Sequence, residues 1–277
     1  MDWAERLFTD RLEEAKKGDF GTVGFVGGAE EYPNTPAICA LASLRTGADL
    51  NVIFAPERAA DSCAGFAPDL MTTPLDGERL KLDNVDAILD EVDRLSALVV
   101  GNGLGDDEAT IEAVERLVAE TEVPLVLDGD ALKADVRGMD LEGRKAVITP
   151  HRGEFERLYG EPAEELAAVK EQVEKAARVL GCTVVLKRPV DVVSDGSDVY
   201  GVFAGNPYMT KGGTGDALAG ICGALLGRTE PITAGYLAAK INGKAGDRVA
   251  AESKQSFTIE EMLEEIGPAI EELRQED

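Results

Sequence analysis

The chain has 277 residues, of which 44% are hydrophobic, a composition typical of a globular protein with a substantial core. It carries 28 Lys and Arg against 53 Asp and Glu, a formal net charge of −25. Such a negative field repels phosphate backbones and anionic lipid heads, which argues against nucleic-acid and membrane partners. No apolar run approaches the roughly 18 residues of a membrane-spanning helix, and the acidic N-terminal segment lacks the pattern of a signal peptide. We therefore expect a cytoplasmic protein.

The acidic residues are spread along the chain rather than gathered in one tail. They fit either an ordinary acidic cytosolic protein or a salt-adapted one, and we favour the second. Dense surface carboxylates are tolerable in molar salt because the Debye length there shrinks to roughly 3 Å. Salt adaptation predicts that the fold loosens at low salt, which melting curves in KCl would detect.

The four cysteines contain no CxxC pair, and the chain has a single histidine, so neither a zinc cluster nor a disulfide framework is indicated. Cys39 and Cys222 lie among small apolar residues and are predicted to be buried thiols.

From residue 22 to residue 186, short apolar runs alternate with amphipathic stretches. The runs are typical of strands buried on both faces. The predicted strands are Thr22–Val26, Leu50–Phe54, Ala97–Val100, Pro124–Leu127, Ala146–Ile148 and Thr183–Leu186. The predicted helices are Thr35–Thr46, Val85–Asp93, Asp107–Glu120 and Ala163–Leu180. This alternation predicts an α/β fold with a mostly parallel, doubly wound sheet and helices on both faces.

After Leu186 the pattern changes. The runs Asp191–Ser194 and Val199–Phe203 flank a turn and predict a β-hairpin. Three helices are predicted to follow, at Thr214–Leu226, Ile232–Glu252 and Thr258–Leu273. No repeat or linker interrupts the pattern, so we expect a single domain over residues 1–277.

The turns at the predicted strand ends are rich in Gly, Asp and His. In doubly wound sheets the ligand crevice lies beyond the carboxyl ends of the strands. The turns at such ends include Gly27 and Gly28, Gly101–Gly105, Asp128–Asp130, Thr149–Glu154 and Lys187. They predict one candidate site along a single edge of the sheet.

The most informative segment is residues 206–220, in which glycines run directly into a predicted apolar helix. Consecutive backbone N–H groups at a helix start form an anion hole, and Gly212, Gly213 and Gly215 lead into this predicted helix. Asp216 in the first turn either caps the helix or removes a proton from a hydroxyl that is being phosphorylated. The segment is not a Walker A loop, because GxxxxGK[ST] is absent.

The sequence GGTGD followed by ALAG resembles the anion-hole and catalytic-Asp motif of ribokinase-like kinases. More narrowly, the chain resembles the NAD(P)H-hydrate dehydratase family, whose motifs it matches in order. These are Gly27-Gly28 to Tyr32 with ALASLRTGADL (residues 40–50), VVGNGLG (99–105), PLVLDGDAL (124–132), ITPHRGEF (148–155), VVLK (184–187) and residues 206–220. The resemblance implies a ribokinase-like fold.

The resemblance also implies roles for individual residues. Asp216 matches the catalytic base, and the backbone of Gly213, Thr214 and Gly215 matches the donors that hold the transferred phosphoryl group. The implied contacts to hydrated NAD(P)H are Thr35, Gly103, Gly105, His151 and Asp216. The implied contacts to the adenylate are Lys187, Arg188, Pro189, Val190, Asp191 and Gly215.

Several of these residues have simpler interpretations. Glu154 either holds Mg²⁺ through water or is a solvated residue of a first helical turn. Lys187 could be a solvated lysine at a strand end, and the lone His151 a structural residue. Asp128 and Asp130 form either a polar turn with a helix cap or part of the pocket lining.

The chain departs from the family pattern at four places, namely Asn34-Thr35, Asn102 in place of Pro, Gly129 and Arg188. Arg188 could stack on or pair with the nucleotide, or narrow its pocket. The changes lie at both implied ligand sites and leave the phosphoryl-transfer motif intact.

The activity implied is ADP- or ATP-dependent dehydration of NADHX or NADPHX with Mg²⁺. We also expect a homo-oligomer and, where an epimerase operates, a separate chain that carries it. Two alternatives use the same motifs, a kinase for a small alcohol such as a vitamin precursor or sugar, and a non-catalytic nucleotide-binding sensor. A kinase would leave a stable phosphoester, whereas the dehydratase would release phosphate and restore the dihydronicotinamide absorbance near 340 nm.

Overall fold

A computed structural model describes residues 8, 11 and 13–276, and its strands form one nine-stranded sheet with the order β3-β2-β1-β4-β5-β6-β7-β8-β9. The strands are β1 Thr22–Val26, β2 Leu50–Pro56, β3 Met71–Leu75, β4 Ala97–Val100, β5 Leu125–Leu127, β6 Ala146–Ile148, β7 Thr183–Leu186, β8 Asp191–Ser194 and β9 Val199–Val202. Strands β1 to β7 pair in parallel, whereas β8 and β9 pair antiparallel at one edge.

Ten α-helices cover the two faces of this sheet in the described part of the chain. They are α1 Thr35–Arg45, α2 Glu57–Ala64, α3 Leu82–Val92, α4 Glu108–Glu120, α5 Arg152–Leu158, α6 Leu166–Leu180, α7 Thr214–Leu226, α8 Pro231–Ser253, α9 Ile259–Glu264 and α10 Ile266–Glu276. None of the helices described is both long enough and apolar enough to span a membrane. The N-terminal amphipathic segment lies largely outside the described residues.

The sheet separates two hydrophobic cores. Helices α1, α2 and α7 to α10 pack on one face, and α3 to α6 pack on the other. Strand β4 has four buried residues that contribute alternately to the two cores, which explains its continuous apolar run. The predicted doubly wound architecture is therefore confirmed.

Helix α7 lies unusually close to α1. A Cβ atom built on Gly220 would be 2.0 Å from the carbonyl oxygen of Cys39, so only glycine permits this approach. On the sheet side, a Cβ on Gly223 would be 2.5 Å from Val99 Cγ2. These contacts fix α7 against β4 with its N-terminus at the carboxyl edge of the sheet. Cys39 and Cys222 are buried in this core, as predicted.

The structure corrects the sequence predictions at several elements. Helix α2, strand β3 and helix α5 were not predicted, and the helix predicted to start at Ala163 begins at Leu166. The predicted helix Thr258–Leu273 is two helices, α9 and α10, separated at Glu265. Gly267 and Pro268 explain the break, because Pro is tolerated in the first turn of a new helix but not inside a continuous one.

Candidate active site

Four neighbouring parallel strands end in polar side chains that meet one another. Asn102 follows β4, Asp128 follows β5, Thr149 follows β6 and Lys187 follows β7. Because these strands are adjacent and parallel, their carboxyl ends lie side by side at one edge of the sheet. The edge predicted from the sequence is therefore the place where these residues converge.

Asp128 is the centre of this cluster. Its Oδ1 accepts hydrogen bonds from Thr149 Oγ1 at 2.6 Å and Lys187 Nζ at 2.7 Å, and its Oδ2 accepts one from Asn102 Nδ2 at 2.9 Å. Burial opposes the charge of Lys187, but the negative charges of Asp128 and Glu154 outweigh it and raise the lysine pKa. Lys187 is therefore a paired ammonium inside the cluster and not a solvated strand-end lysine. Asp128 is the N-cap residue of the 3₁₀ turn that follows, but its side chain makes no capping hydrogen bond there and is directed into the cluster instead.

Asp216 lies in the first turn of α7 and faces this cluster. Its Oδ1 accepts a hydrogen bond of 2.7 Å from Asn102 Nδ2. Asp216 does not cap the helix, because the N-cap is Gly213. Burial, followed by the negative charge of Asp128, raises the pKa of Asp216 to about 6. A carboxylate with that pKa is largely ionised near pH 7 and can accept a proton.

The turn that starts α7 leaves backbone N–H groups directed out of the helix. Gly213 has φ +97°, a conformation that favours glycine, and the first hydrogen bond of the helix runs from Ala217 N to Gly213 O at 2.8 Å. The Thr214 hydroxyl donates to the carbonyls of Met209 and Lys211, which holds the preceding loop against the helix. The N–H groups of the first turn, before Ala217, have no partner within the helix and can hold an anion.

Lys187 lies beside these N–H groups. A Cβ built on Gly215 would be 3.4 Å from Lys187 Nζ, so the ammonium group and the start of α7 share one space. The other nearby lysine points elsewhere. Lys211 Nζ donates to Gln255 O at 2.6 Å and to Phe257 O at 2.7 Å, which fastens the loop to the segment after α8.

His151 and Glu154 form a capping box at the start of α5. His151 Nδ1 accepts from the N–H groups of Gly153 and Glu154, and the Glu154 carboxylate accepts from His151 N at 2.7 Å. Because Nδ1 accepts, the ring proton lies on Nε2, which is 3.3 Å from Glu154 Oε1. The imidazole is 60% exposed and can contact a ligand, whereas Glu154 is only 7% exposed. Glu154 is therefore buried, and the interpretation that it is a solvated residue of a first helical turn is wrong. Burial raises the pKa of Glu154.

The implied substrate contacts lie at the neighbouring strand ends. A Cβ built on Gly103 would be 3.0 Å from Thr35 Oγ1 and 2.9 Å from Tyr32 Cβ, so the turn after β4 touches the start of α1. Gly105 N donates to Asp130 Oδ2 at 2.8 Å. These contacts bring Thr35, Gly103 and Gly105 to the same edge of the sheet, and Asp130 fixes the glycine turn.

The segment after Lys187 forms a tight turn. Arg188 N donates to Asp191 Oδ1 at 2.7 Å, and burial raises the pKa of Asp191 to about 6. The Arg188 guanidinium donates to the carbonyls of Ala163 at 2.9 Å and Glu164 at 3.3 Å. Its hydrogen bonds therefore hold the loop before α6. Pro189 is exposed and Val190 is half-buried, and no more specific contact distinguishes them.

Sequence reasoning missed the contacts that two side chains make in this cluster. Asn102 was noted only as a departure from a motif, and Thr149 only as part of a turn, yet both bind the Asp128 carboxylate. Their position directly after buried strands was the available signal. Within the described residues, no group of three or more His, Cys, Asp or Glu side chains is arranged to hold a metal ion by itself.

The model of the family described as NAD(P)H-hydrate dehydratase (Carb_kinase) matches residues 23–268 of the chain. The chain belongs to the NAD(P)H-hydrate dehydratase family. The resemblance inferred from its motifs is therefore confirmed.

Two relatives of this family member illustrate the similarity. It is 42% identical over 273 residues to the bifunctional NAD(P)H-hydrate repair enzyme Nnr of Pyrobaculum aerophilum, covering 97% of this chain and 54% of that protein. It is 32% identical over 274 residues to the ADP-dependent (S)-NAD(P)H-hydrate dehydratase of Cenarchaeum symbiosum, covering 97% and 94%. The chain thus spans about half the length of the bifunctional relatives and nearly all of the second protein.

Solved structures agree on the fold. The ADP/ATP-dependent NAD(P)H-hydrate dehydratase of Bacillus subtilis, co-crystallised with ATP and Mg²⁺, superposes with a TM-score of 0.82 at 25% identity, covering 98% of this chain and 96% of that one. A ribokinase-like superfamily protein of Enterococcus faecalis gives a TM-score of 0.83 at 24% identity, covering 98% and 94%. The predicted ribokinase-like fold is confirmed.

Proposed function

We propose that this member of the family dehydrates hydrated NAD(P)H with an adenine nucleotide as phosphoryl donor. The observation that carries the proposal is the Asp216 carboxylate, which lies in the first turn of α7 beside free N–H groups and the Lys187 ammonium. A base, an anion hole and a cation in one crevice are what phosphoryl transfer to a hydroxyl needs. The similarity to ADP-dependent dehydratases favours ADP over ATP.

In the first step Asp216 accepts the proton of the ring hydroxyl as that oxygen attacks the terminal phosphorus of the nucleotide. An O–P bond forms, the bond to the nucleotide oxygen breaks, and the shortened nucleotide leaves. The N–H groups of Gly213, Thr214 and Gly215 hold the charge that develops on the transferred group. Asp216 suits this role because its raised pKa makes it a stronger base than an ordinary aspartate.

In the second step the phosphorylated hydrate loses phosphate. Hydroxide is a poor leaving group, whereas phosphate is a good one, so the electron pair of the ring nitrogen can now expel it. Loss of a proton from the adjacent ring carbon then restores the dihydronicotinamide. The protein's contribution here is to hold the ring at the edge formed by Thr35, Gly103 and Gly105, with the exposed imidazole of His151 beside it.

The nucleotide would extend from the start of α7 along the segment 187–191. Gly215 has no side chain, which leaves room for a phosphate between its N–H group and Lys187 Nζ. Lys187, Arg188, Pro189, Val190 and Asp191 would then border the adenylate. The Arg188 guanidinium would act by fixing the loop at Ala163 and Glu164, rather than by stacking on the base.

The residues present fit a divalent ion that arrives on the nucleotide. Mg²⁺ is usually held by substrate phosphates, waters and one or two carboxylates, and not by a complete protein cage. Glu154 is the carboxylate we propose for this role through water, because its Oε1 has only a 3.3 Å contact to His151. When bound, the ion would neutralise phosphate charge.

The test incubates the protein with NADHX or NADPHX, Mg²⁺ and either ADP or ATP, and follows the dihydronicotinamide absorbance near 340 nm together with released phosphate. Recovery of absorbance with equal phosphate release supports the dehydratase. A stable phosphoester without recovery would establish a kinase instead, and nucleotide binding without turnover would establish a sensor. Comparison of the two hydrates and two nucleotides identifies the preferred pair.

We also propose a cytoplasmic homo-oligomer that works together with an NAD(P)H-hydrate epimerase. Light scattering of the purified protein measures the oligomeric state. A requirement for added epimerase when the opposite epimer of the hydrate is supplied tests the second part.

A further inference from the structure

One nitrogen atom joins the two carboxylates of the site. Asn102 Nδ2 lies 2.7 Å from Asp216 Oδ1 and 2.9 Å from Asp128 Oδ2, so its two hydrogens are directed to different carboxylates. Asn102 is 4% exposed. A buried amide that donates to two carboxylates fixes their separation, and its hydrogen bond to Asp216 favours the charged form of that carboxylate.

Both ends of this bridge are held in place. The Asp128 carboxylate is anchored at its other oxygen by Thr149 and Lys187. The Asn102 main chain is anchored by a hydrogen bond of 2.9 Å from Gly28 N to its carbonyl oxygen. Asp216 is therefore tied to the carboxyl ends of β4 and β5, although it belongs to α7 and lies 114 residues after Asn102 in the chain.

We propose that Asn102 is a positioning residue for the base, and that it orients the Asp216 carboxylate and stabilises its ionised form. The inference deepens the proposed function and rests on it. Where Asn102 stands, the motif that this chain resembles has Pro, which has no side-chain donor, so the contact belongs to this chain and not to the motif.

The electrostatic consequence has a definite sign. The groups that face Asp216 are Asp128 and Asp130, which raise its pKa, Lys187, which lowers it, and the Cys39 thiol from α1. The Asn102 hydrogen bond also lowers it. Removing the amide takes away a stabilising partner and leaves the Asp128 charge in place. The pKa of Asp216 should therefore rise. As the pH is lowered, the variant should lose activity at a higher pH than the wild type does.

The experiment compares the wild type with Asn102→Ala in two titrations. The first follows the carboxyl ¹³C resonance of Asp216, assigned by its loss in Asp216→Asn. The second follows kcat and nucleotide KM for hydrate turnover over the same pH range. We expect both midpoints to move up by about one pH unit, with kcat at high pH reduced about tenfold and KM little changed. Should Asn102→Ala fail to fold, Asn102→Ser replaces it and a smaller shift in the same direction is expected.

Thr149→Val is the matched control. It removes one hydrogen bond from the same cluster but leaves Asp128 paired with Lys187 and Asp216 bound to Asn102. The Asp216 midpoint should stay where it is in the wild type. If the Asp216 ¹³C midpoint moved equally in Asn102→Ala and Thr149→Val, the shift would not be specific to the Asn102 hydrogen bond, and the inference would be overturned.

The outcomes also separate this inference from the proposed function. An unmoved ¹³C midpoint in Asn102→Ala overturns the inference even if hydrate turnover is normal. If the ¹³C midpoint shifts but the midpoint of the activity profile does not, Asn102 does not act on turnover through Asp216, and the inference is overturned. Absence of turnover in the wild type would refute the proposed function, whereas a ¹³C shift in the same preparation would still uphold the control of the Asp216 charge by Asn102.

Discussion

Asp216→Asn should inactivate the protein and stabilise it at the same time. The substitution keeps the size of the side chain and the oxygen that accepts from Asn102, but it removes the base. Loss of a general base costs about 10²–10⁴-fold in turnover. Nucleotide binding should be nearly unchanged, because the N–H groups of α7 and the Lys187 ammonium remain.

The stabilisation follows from the raised pKa of Asp216. Burial and the charge of Asp128 move it from 3.8 to about 6. At about 1.4 kcal/mol per pKa unit, the ionised form costs the fold up to about 3 kcal/mol, which we reduce to about 1–2 kcal/mol because the group is partly solvated. A folded-state pKa above the unfolded one means that this cost appears as pH rises from about 4 to 6 and persists above.

Thermal melting of wild type and Asp216→Asn tests this reasoning. Near pH 8 the variant should melt about 2–4 °C higher, and the difference should shrink as the pH approaches about 4. Glu112→Gln, an exposed change in α4, controls for the loss of one negative charge and should alter stability by less than about 0.5 kcal/mol. Equal melting of Asp216→Asn and wild type near pH 8 would refute the burial and repulsion argument, and near-normal turnover would refute the assignment of the base.

Two further substitutions test the site and its support. Lys187→Met leaves the buried Asp128 charge without its cation, so we expect nucleotide affinity, measured by calorimetry, to fall at least about tenfold and the free energy of unfolding to fall by about 3 kcal/mol. Lys145→Met, at an exposed pair with Glu230, should change neither quantity. Equal effects of the two variants would contradict the role of the buried pair. Gly220→Ala forces a Cβ to within 2.0 Å of Cys39 O and should lower the free energy of unfolding, measured with denaturant, by about 1–3 kcal/mol. Gly267→Ala, in α10 with no neighbour within 4 Å, should be neutral or stabilising. If Gly220→Ala also proved neutral or stabilising, α1 and α7 would not be held by this contact.

The fold was predictable wherever burial shapes the sequence. Strand β4 is buried on both faces, so its residues are all apolar and its boundaries were predicted correctly. Strand β3 has the sequence Met-Thr-Thr-Pro-Leu and pairs only with β2 at the sheet edge, where Pro and polar residues are tolerated. It therefore gave no apolar run. Helix α5 escaped prediction because it is only about two turns long and is capped by a histidine.

The site was predictable as a set of residues but not as a set of contacts. The rule that ligands bind beyond the carboxyl ends of strands brought Asp128, His151 and Lys187 to one edge. The bond between Asn102 and Asp216 depends on how closely α7 approaches β4, which the glycines of α7 decide and which no local pattern reveals. Salt adaptation remains a prediction from the composition.

The charge of the site explains how so acidic a chain could hold two anionic ligands. In the described part of the chain, Asp128, Asp216 and Glu154 lie around the Lys187 ammonium, so the net charge of these side chains repels phosphate. The N–H groups of the first turn of α7 together carry about half a positive charge, which attracts phosphate. A bare nucleotide would therefore meet more negative than positive charge, whereas its complex with a divalent cation brings less charge into the site. If the chain acts as proposed, the acidic cluster would favour the metal-bound form of the nucleotide, and the terminal phosphate would rest between the start of α7 and Lys187.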